Sequence, residues 1–189
     1  PEQAIDFALW RNGFTVIRTE LTQAVNLEPS PQELFEQFVN KTRTAFRRAE
    51  KLGCHFRILN PPTSEEMDQF YCILEENRRG LGVQPAHSKE EIVRLHQLLP
   101  DRLMMAVVEH NGEMLAGIWN FICTRWVVLE FYMAHKASAV PFKPVPFLTY
   151  HSMLWAKEQG FRWMDFGISS IRGEPTWGLM RFKENFNAR

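Results

Sequence analysis

The chain of 189 residues balances 22 Lys and Arg against 22 Asp and Glu, with 45% hydrophobic and 23% charged residues. That length accommodates one full domain with a sizeable core, and the composition argues against disorder and against a membrane span. With a net charge of zero, any contact with a polyanion has to come from local clustering and not from the overall field.

No apolar run approaches the ~18 residues that a membrane-spanning helix needs, and no secretory leader pattern opens the chain, so the expected location is cytoplasmic. The three cysteines Cys54, Cys72 and Cys123 lack metal-ligand spacing. They are expected to be buried, reduced thiols, with no metal site.

In chain order, Glu2 to Trp10 reads as a helix already under way, followed by a β-rich strand over Thr15 to Leu21. Ser30-Pro31-Gln32-Glu33 is a helix start, with a capping box closed by Glu33 and proline at the first helical position. Apolar residues from Leu34 to Leu52 then recur at helical spacing, which predicts one helix stopped by Gly53. A short strand over His55 to Leu59 ends at Pro61-Pro62, and two further capping boxes, at Thr63 and Ser88, open two more helices. Leu103 to Glu109, Met114 to Cys123 and Trp126 to Met133 read as an antiparallel meander. Its first turn, His110-Asn111-Gly112-Glu113, suits the positive φ angles of a type I′ hairpin. A helix from about Pro146 to Gln159 ends at Gly160, and a strand Phe161 to Met164 follows. Periodicity by itself gives an α+β chain with a mixed sheet.

The last third of the chain carries a more specific signal. After Gly160 and the strand comes Asp165-Phe166-Gly167, and further on Gly178-Leu179-Met180-Arg181-Phe182-Lys183-Glu184-Asn185-Phe186. Upstream lie Lys41, Arg43 and Arg47-Arg48-Ala49, with Lys51 and Gly53 following. This ordered set resembles the Fem-like, or BioF2-like and CelD-like, branch of the GNAT acyltransferase superfamily, over roughly Pro29 to Arg189. The resemblance implies a GNAT-like mixed central sheet flanked by helices, in a domain over residues 29–189, with 1–28 as a remnant or linker from a preceding lobe. It also implies transfer of an acyl or aminoacyl group from acyl-CoA, or from aminoacyl-tRNA, to an amine acceptor. That acceptor is a small molecule or a peptidoglycan precursor. The partners implied are a preceding GNAT-like lobe and, with the second donor, tRNA. The alternative is a GNAT-like lobe that binds without catalysing.

Members of this superfamily hold the donor arm like an extra strand beside the third strand of the meander. That places backbone N–H groups around Phe131, Met133 and Ala134 at the reacting carbonyl, and the donor phosphates at the helix start near Phe147. Pro144 and Pro146 contribute no N–H there, and the usual glycine-rich phosphate signature is absent. The resemblance implies that Lys183 faces the cleft, as an exposed cation one residue on from the Phe182 anchor that can stabilise an oxyanion or the donor phosphates. Arg78, in Asn77-Arg78-Arg79-Gly80, is implied as a substrate-binding residue, with dipole stabilisation of the helix end as its structural role. Arg43 and Arg47, four residues apart, form a basic face for a nucleotide diphosphate or tRNA, unless that face is simply solvated. Glu130, His135 and Asp165 are the candidates to take the acceptor's proton, Asp165 being better suited to fixing the turn through Gly167. Tyr132 is the candidate to protonate a leaving group, and Trp119, Trp126 and Trp177 are candidates for an acyl pocket.

Overall fold

The structure, a computed structural model, describes residues 2–189. Its frame is one six-stranded mixed sheet in the order β1-β6-β5-β4-β3-β2. The strands are β1 (Thr22–Asn26), β2 (His55–Leu59), β3 (Leu103–His110), β4 (Glu113–Ile122), β5 (Val127–His135) and β6 (Trp163–Ile168). The helices are α1 (Glu2–Arg11), α2 (Pro31–Glu36), α3 (Asn40–Lys51), α4 (Ser64–Gly80), α5 (Lys89–Leu98), α6 (Pro144–Glu158) and α7 (Trp177–Glu184). A two-stranded ribbon of β7 (Ser170–Ile171) and β8 (Glu174–Pro175) joins β6 to α7.

The β3–β4–β5 meander occupies the middle of the sheet. Every residue of β3 from Leu103 to Val108 is buried, because helices cover both faces. Met104, Ala106 and Val108 face a core shared with α3 and α6, whereas Leu103, Met105 and Val107 face one shared with α4 and α5. The β3–β4 turn takes the predicted hairpin geometry, Asn111 and Gly112 both having positive φ. The three capping boxes at Ser30, Thr63 and Ser88 are all formed. Gly117 lets α4 approach β4 closely: a Cβ there would lie 2.4 Å from a Phe70 ring carbon.

Several expectations need correction. The chain over Thr15 to Leu21 forms no strand; the strand begins at Thr22, pairs antiparallel with β6, and so brings part of the 1–28 segment into the sheet. The single helix expected from Pro31 to Leu52 is two, broken at residues 37–39. Phe38 is pulled into the core against Tyr150 and Phe186, and the Val39 N–H donates to Asn185 O. Such long-range contacts override an unbroken helical pattern. Of the three thiols only Cys54 is buried; Cys72 and Cys123 are exposed.

Candidate active site

Strands β5 and β6 run parallel, but only three residue pairs join them: Val127–Trp163, Val128–Met164 and Leu129–Asp165. Beyond Leu129 the two strands part. On β5 the departure coincides with a bulge: Asn120 and Trp119 of β4 face Glu130 and Tyr132, so Phe131 is the extra residue. A bulge bends its strand and raises its twist. On β6 the chain turns at Gly167, whose φ is +70°, and a Cβ there would lie 3.6 Å from Glu130 O. The parting opens a cleft of about 750 Å³. Its walls are Leu129 to Phe131 and Met133 to His135 from β5, Asp165 to Ile168 from β6, Asn77, Arg78 and Leu81 at the end of α4, and Leu179, Phe182 and Lys183 from α7, with Thr22 and Val145.

Two ionisable groups line this cleft and act on each other through their charges, Glu130 on β5 and Lys183 on α7. Burial raises the Glu130 carboxyl to about 7, against a smaller downward pull from the Lys183 ammonium. Burial in turn lowers Lys183, with Glu130 and then Asp165 opposing. Lys183 is only 3% exposed, and its Nζ donates to Gly167 O and Ile168 O, both at 2.8 Å. The expected exposed cation is therefore a buried one, tied to the end of β6. The residues beside it explain the burial: Phe182 on α7 packs edge-on against Phe186, just past the helix, and Phe186 is part of the core.

Arg78 lines the cleft, its guanidinium 5.5 Å from the centre of the Tyr132 ring and bonded to Asn77 Oδ1 at 2.7 Å. Burial lowers its proton affinity. Asp165 has the turn-fixing geometry expected of it: Oδ1 accepts from the Gly167 N–H at 2.7 Å and from the Thr22 hydroxyl at 2.6 Å. His135 also lines the cleft; its Nδ1 donates to Lys136 O at 2.9 Å, since a carbonyl can only accept, which leaves Nε2 free for a proton.

Other candidates lie elsewhere. Tyr132 turns to the α4–α5 side of the sheet, where its hydroxyl accepts from the Ala86 N–H and meets His87 Nδ1, both at 3.0 Å, so it holds a loop instead of facing the cleft. Phe147 is buried in stacking against Phe46, and Val145 takes its place at the cleft. Arg43 spends its guanidinium on Glu36 O and Phe38 O at 2.6 and 2.7 Å, closing α2, and Arg47 lies over Phe35 at 5.7 Å; neither reaches the cleft. None of the three tryptophans lines it: Trp119 is fully buried, and Trp126 and Trp177 are exposed. The sequence reading missed Leu129, Val145 and Leu179. Leu179 carried the one available signal, its place beside Gly178 in the run that leads to Lys183.

The start of α6 offers little to a phosphate. A helix start normally leaves four N–H groups open; here Pro144 and Pro146 have none and the Lys143 N–H donates to Val140 O, which leaves that of Val145. A second concavity of about 860 Å³ lies at the far edge, between the β2–α4 turn and α5. Its Lys89 and Asp68 neutralise each other at 2.9 Å, whereas the splay holds a carboxyl and an ammonium that shift one another. The splay is therefore the candidate active site. Among the described residues no group of three or more His, Cys, Asp or Glu side chains could hold a metal ion, and no helix is long and apolar enough to cross a membrane.

The model of the acetyltransferase (GNAT) domain family matches residues 36–184. No curated protein sequence matches the chain. Among solved structures, FemX superposes with a TM-score of 0.83 at 14% identity, over 98% of this chain and 65% of that one. The C-terminal domain of a putative lysylphosphatidylglycerol synthetase from Agrobacterium fabrum gives 0.67 at 13% identity, over 95% and 60%. L-PGS from Bacillus licheniformis gives 0.63 at 18% identity, over 87% and 50%. The chain thus spans less than two thirds of each of these structures, and the likeness is one of fold.

Proposed function

The chain belongs to the GNAT acetyltransferase family, and from that premise we propose that it transfers an acyl or aminoacyl group from an activated donor to an amine, in the cleft between β5 and β6. The observation that carries this reading is the placement of the Glu130 carboxyl in a cleft beside a strand edge without a partner strand, where burial pushes it up to about 7. A general base is most effective when its proton affinity lies near the working pH.

In the mechanism we propose, the donor arm lies along β5 past Leu129, where β6 has turned away and the ladder has ended. Backbone N–H groups between Phe131 and Ala134 receive the carbonyl oxygen as its negative charge grows. The acceptor nitrogen attacks the carbonyl carbon, and its proton passes to Glu130. When the tetrahedral intermediate collapses, the carbon–sulfur or carbon–oxygen bond to the donor breaks, and Glu130 can return the proton to the leaving atom. Arg78, cationic and lining the cleft with no acidic partner among the described residues, suits a phosphate or carboxylate of either substrate. The lining is mostly apolar, with Phe131, Phe166 and Phe182 on its walls, and what favours this reading over that of a lobe that only binds is the set of charged groups that line it, Arg78, Glu130, Asp165 and Lys183.

Acyl-CoA and aminoacyl-tRNA both remain donors of the right chemistry. The proline-rich start of α6 favours one gripped by its acyl end over one gripped by a diphosphate. The test is a transfer assay on the natural protein with each donor in turn and a panel of amines, repeated with Glu130→Gln. The expected result is transfer from one donor class, with a loss of roughly 10²–10⁴ in the variant, the usual range for a general base. Full activity in Glu130→Gln would remove the base assignment, and no transfer from either donor would remove the enzymatic reading.

A further inference from the structure

We propose that Lys183 is a positioning residue that acts through Glu130 and the end of β6, and not on the substrate. The inference rests on the reading of the cleft as a transferase site with Glu130 as its base. Three observations carry it.

The first is what the ammonium already does. A lysine ammonium has three N–H donors, and two of those of Lys183 are committed to Gly167 O and Ile168 O at 2.8 Å each. A side chain only 3% exposed cannot swing toward a developing oxyanion without breaking both bonds, which takes the ammonium donor from Ile168 O and leaves Gly167 O with the Thr22 hydroxyl at 3.1 Å. The second is where those carbonyls are. They belong to the stretch of β6 that turns away from β5, and Gly167 packs against Glu130 O and the Leu129 side chain at that point. Lys183 therefore ties α7 to the wall of the splay and fixes how far β6 stands off from the free edge of β5. The third is the charge it leaves beside Glu130. Both groups line the cleft, and the Lys183 charge pulls the Glu130 carboxyl down against the larger upward effect of burial, so the lysine eases the release of the base's proton. The other charged or titratable groups around them are Asp165 on β6, His135 on β5 and Arg78 at the end of α4.

A strut that also tunes its neighbour differs from a plain structural lysine in one measurable way, the titration of Glu130. Glutamate labelled with ¹³C at the carboxyl allows that titration to be followed by NMR in the wild-type chain, with Glu130→Gln identifying the signal. The expected midpoint is about 7 in the wild type. Lys183→Met should move it upward by roughly one unit or more, because the cation that favours the carboxylate is gone. Lys183→Arg should bring it back toward the wild-type value. An unmoved midpoint in Lys183→Met overturns the proposal.

If Lys183→Met does not fold, the reciprocal measurement decides. In Glu130→Gln the carbonyl bonds of Lys183 are intact, and its ammonium should release its proton at lower pH than in the wild type; no change there overturns the proposal as well. Activity supplies a further check. The rate–pH profile of transfer should shift with Glu130 in Lys183→Met, whereas a uniform fall in kcat with no shift would put Lys183 on the transition state and overturn the proposal. Absence of transfer in the wild type, with both titrations moving as expected, would instead count against the proposed function alone.

Discussion

At the scale of single residues, the contrast between Lys183 and Asp165 shows what kind of information a motif holds. Asp165 precedes Gly167 by two positions, and its short carboxylate reaches the Gly167 N–H at 2.7 Å; local spacing was enough to foresee that turn. Lys183 has its partners at Gly167 and Ile168, some fifteen residues away, and its burial depends on how α7 docks. A stability prediction separates the two views of this lysine. An exposed lysine would be neutral when truncated, but Lys183→Ala removes the ammonium donor from two carbonyls, of which Gly167 O keeps the Thr22 hydroxyl at 3.1 Å, so a loss of about 1–2 kcal/mol is expected in urea unfolding. Unchanged stability would mean that the buried geometry does not persist in solution.

At the scale of elements, close approaches fix the cleft more than propensities do. The C-terminal end of α4 delivers Asn77, Arg78 and Leu81 to the cleft, and the packing of α4 on β4 depends on Gly117, above which the Phe70 ring lies. Gly117→Ala forces a carbon to within 2.4 and 2.8 Å of that ring. Overpacking of this kind costs about 1–3 kcal/mol. Moving α4 outward should also weaken donor binding, an effect that thermal unfolding alone would not register. A fully stable Gly117→Ala would show that α4 slides without resistance. The same logic accounts for the broken helix at residues 37–39. Its apolar period is continuous, but Arg43 bonds the last carbonyl of α2, Glu36 O, and Phe38 O in the break, so a residue expected to bind a nucleotide holds the junction of the two helices.

At the scale of the whole molecule, buried ionisable groups should leave a signature in stability against pH. Burial pushes the Glu130 carboxyl up to about 7 in the folded state, against about 4.3 in the unfolded chain. Between those values the folded state holds a proton that the unfolded chain has released, so this contribution is complete at acid pH and is lost as pH rises to about 7. His96 and His151 act in the opposite sense: burial lowers both, so their contribution grows as pH rises toward roughly 6.5. Since the terms overlap, the difference between wild type and Glu130→Gln is the informative curve. Unfolding series from pH 4.5 to 7.5 should find the variant progressively more stable than the wild type as pH rises, by at most about 3 kcal/mol. Parallel curves would mean that the Glu130 carboxyl is solvated.

The sequence by itself determined what depends on neighbours along the chain. The three capping boxes, the Asn111-Gly112 hairpin, the stops at Gly53 and Gly160 and the order of meander, helix and strand were all legible, because each rests on a few adjacent residues. The motif around Lys183 lies on α7, which supplies Leu179, Phe182 and Lys183 to one wall of the cleft. What only the tertiary structure decided is which atoms face that cleft. The bulge at Phe131 turns Tyr132 to the opposite side of the sheet, and the docking of α7 buries Lys183 beside Glu130. Register and docking are set by contacts between segments far apart in sequence. A carboxyl near 7 arises only where those contacts exclude water, which no local pattern records.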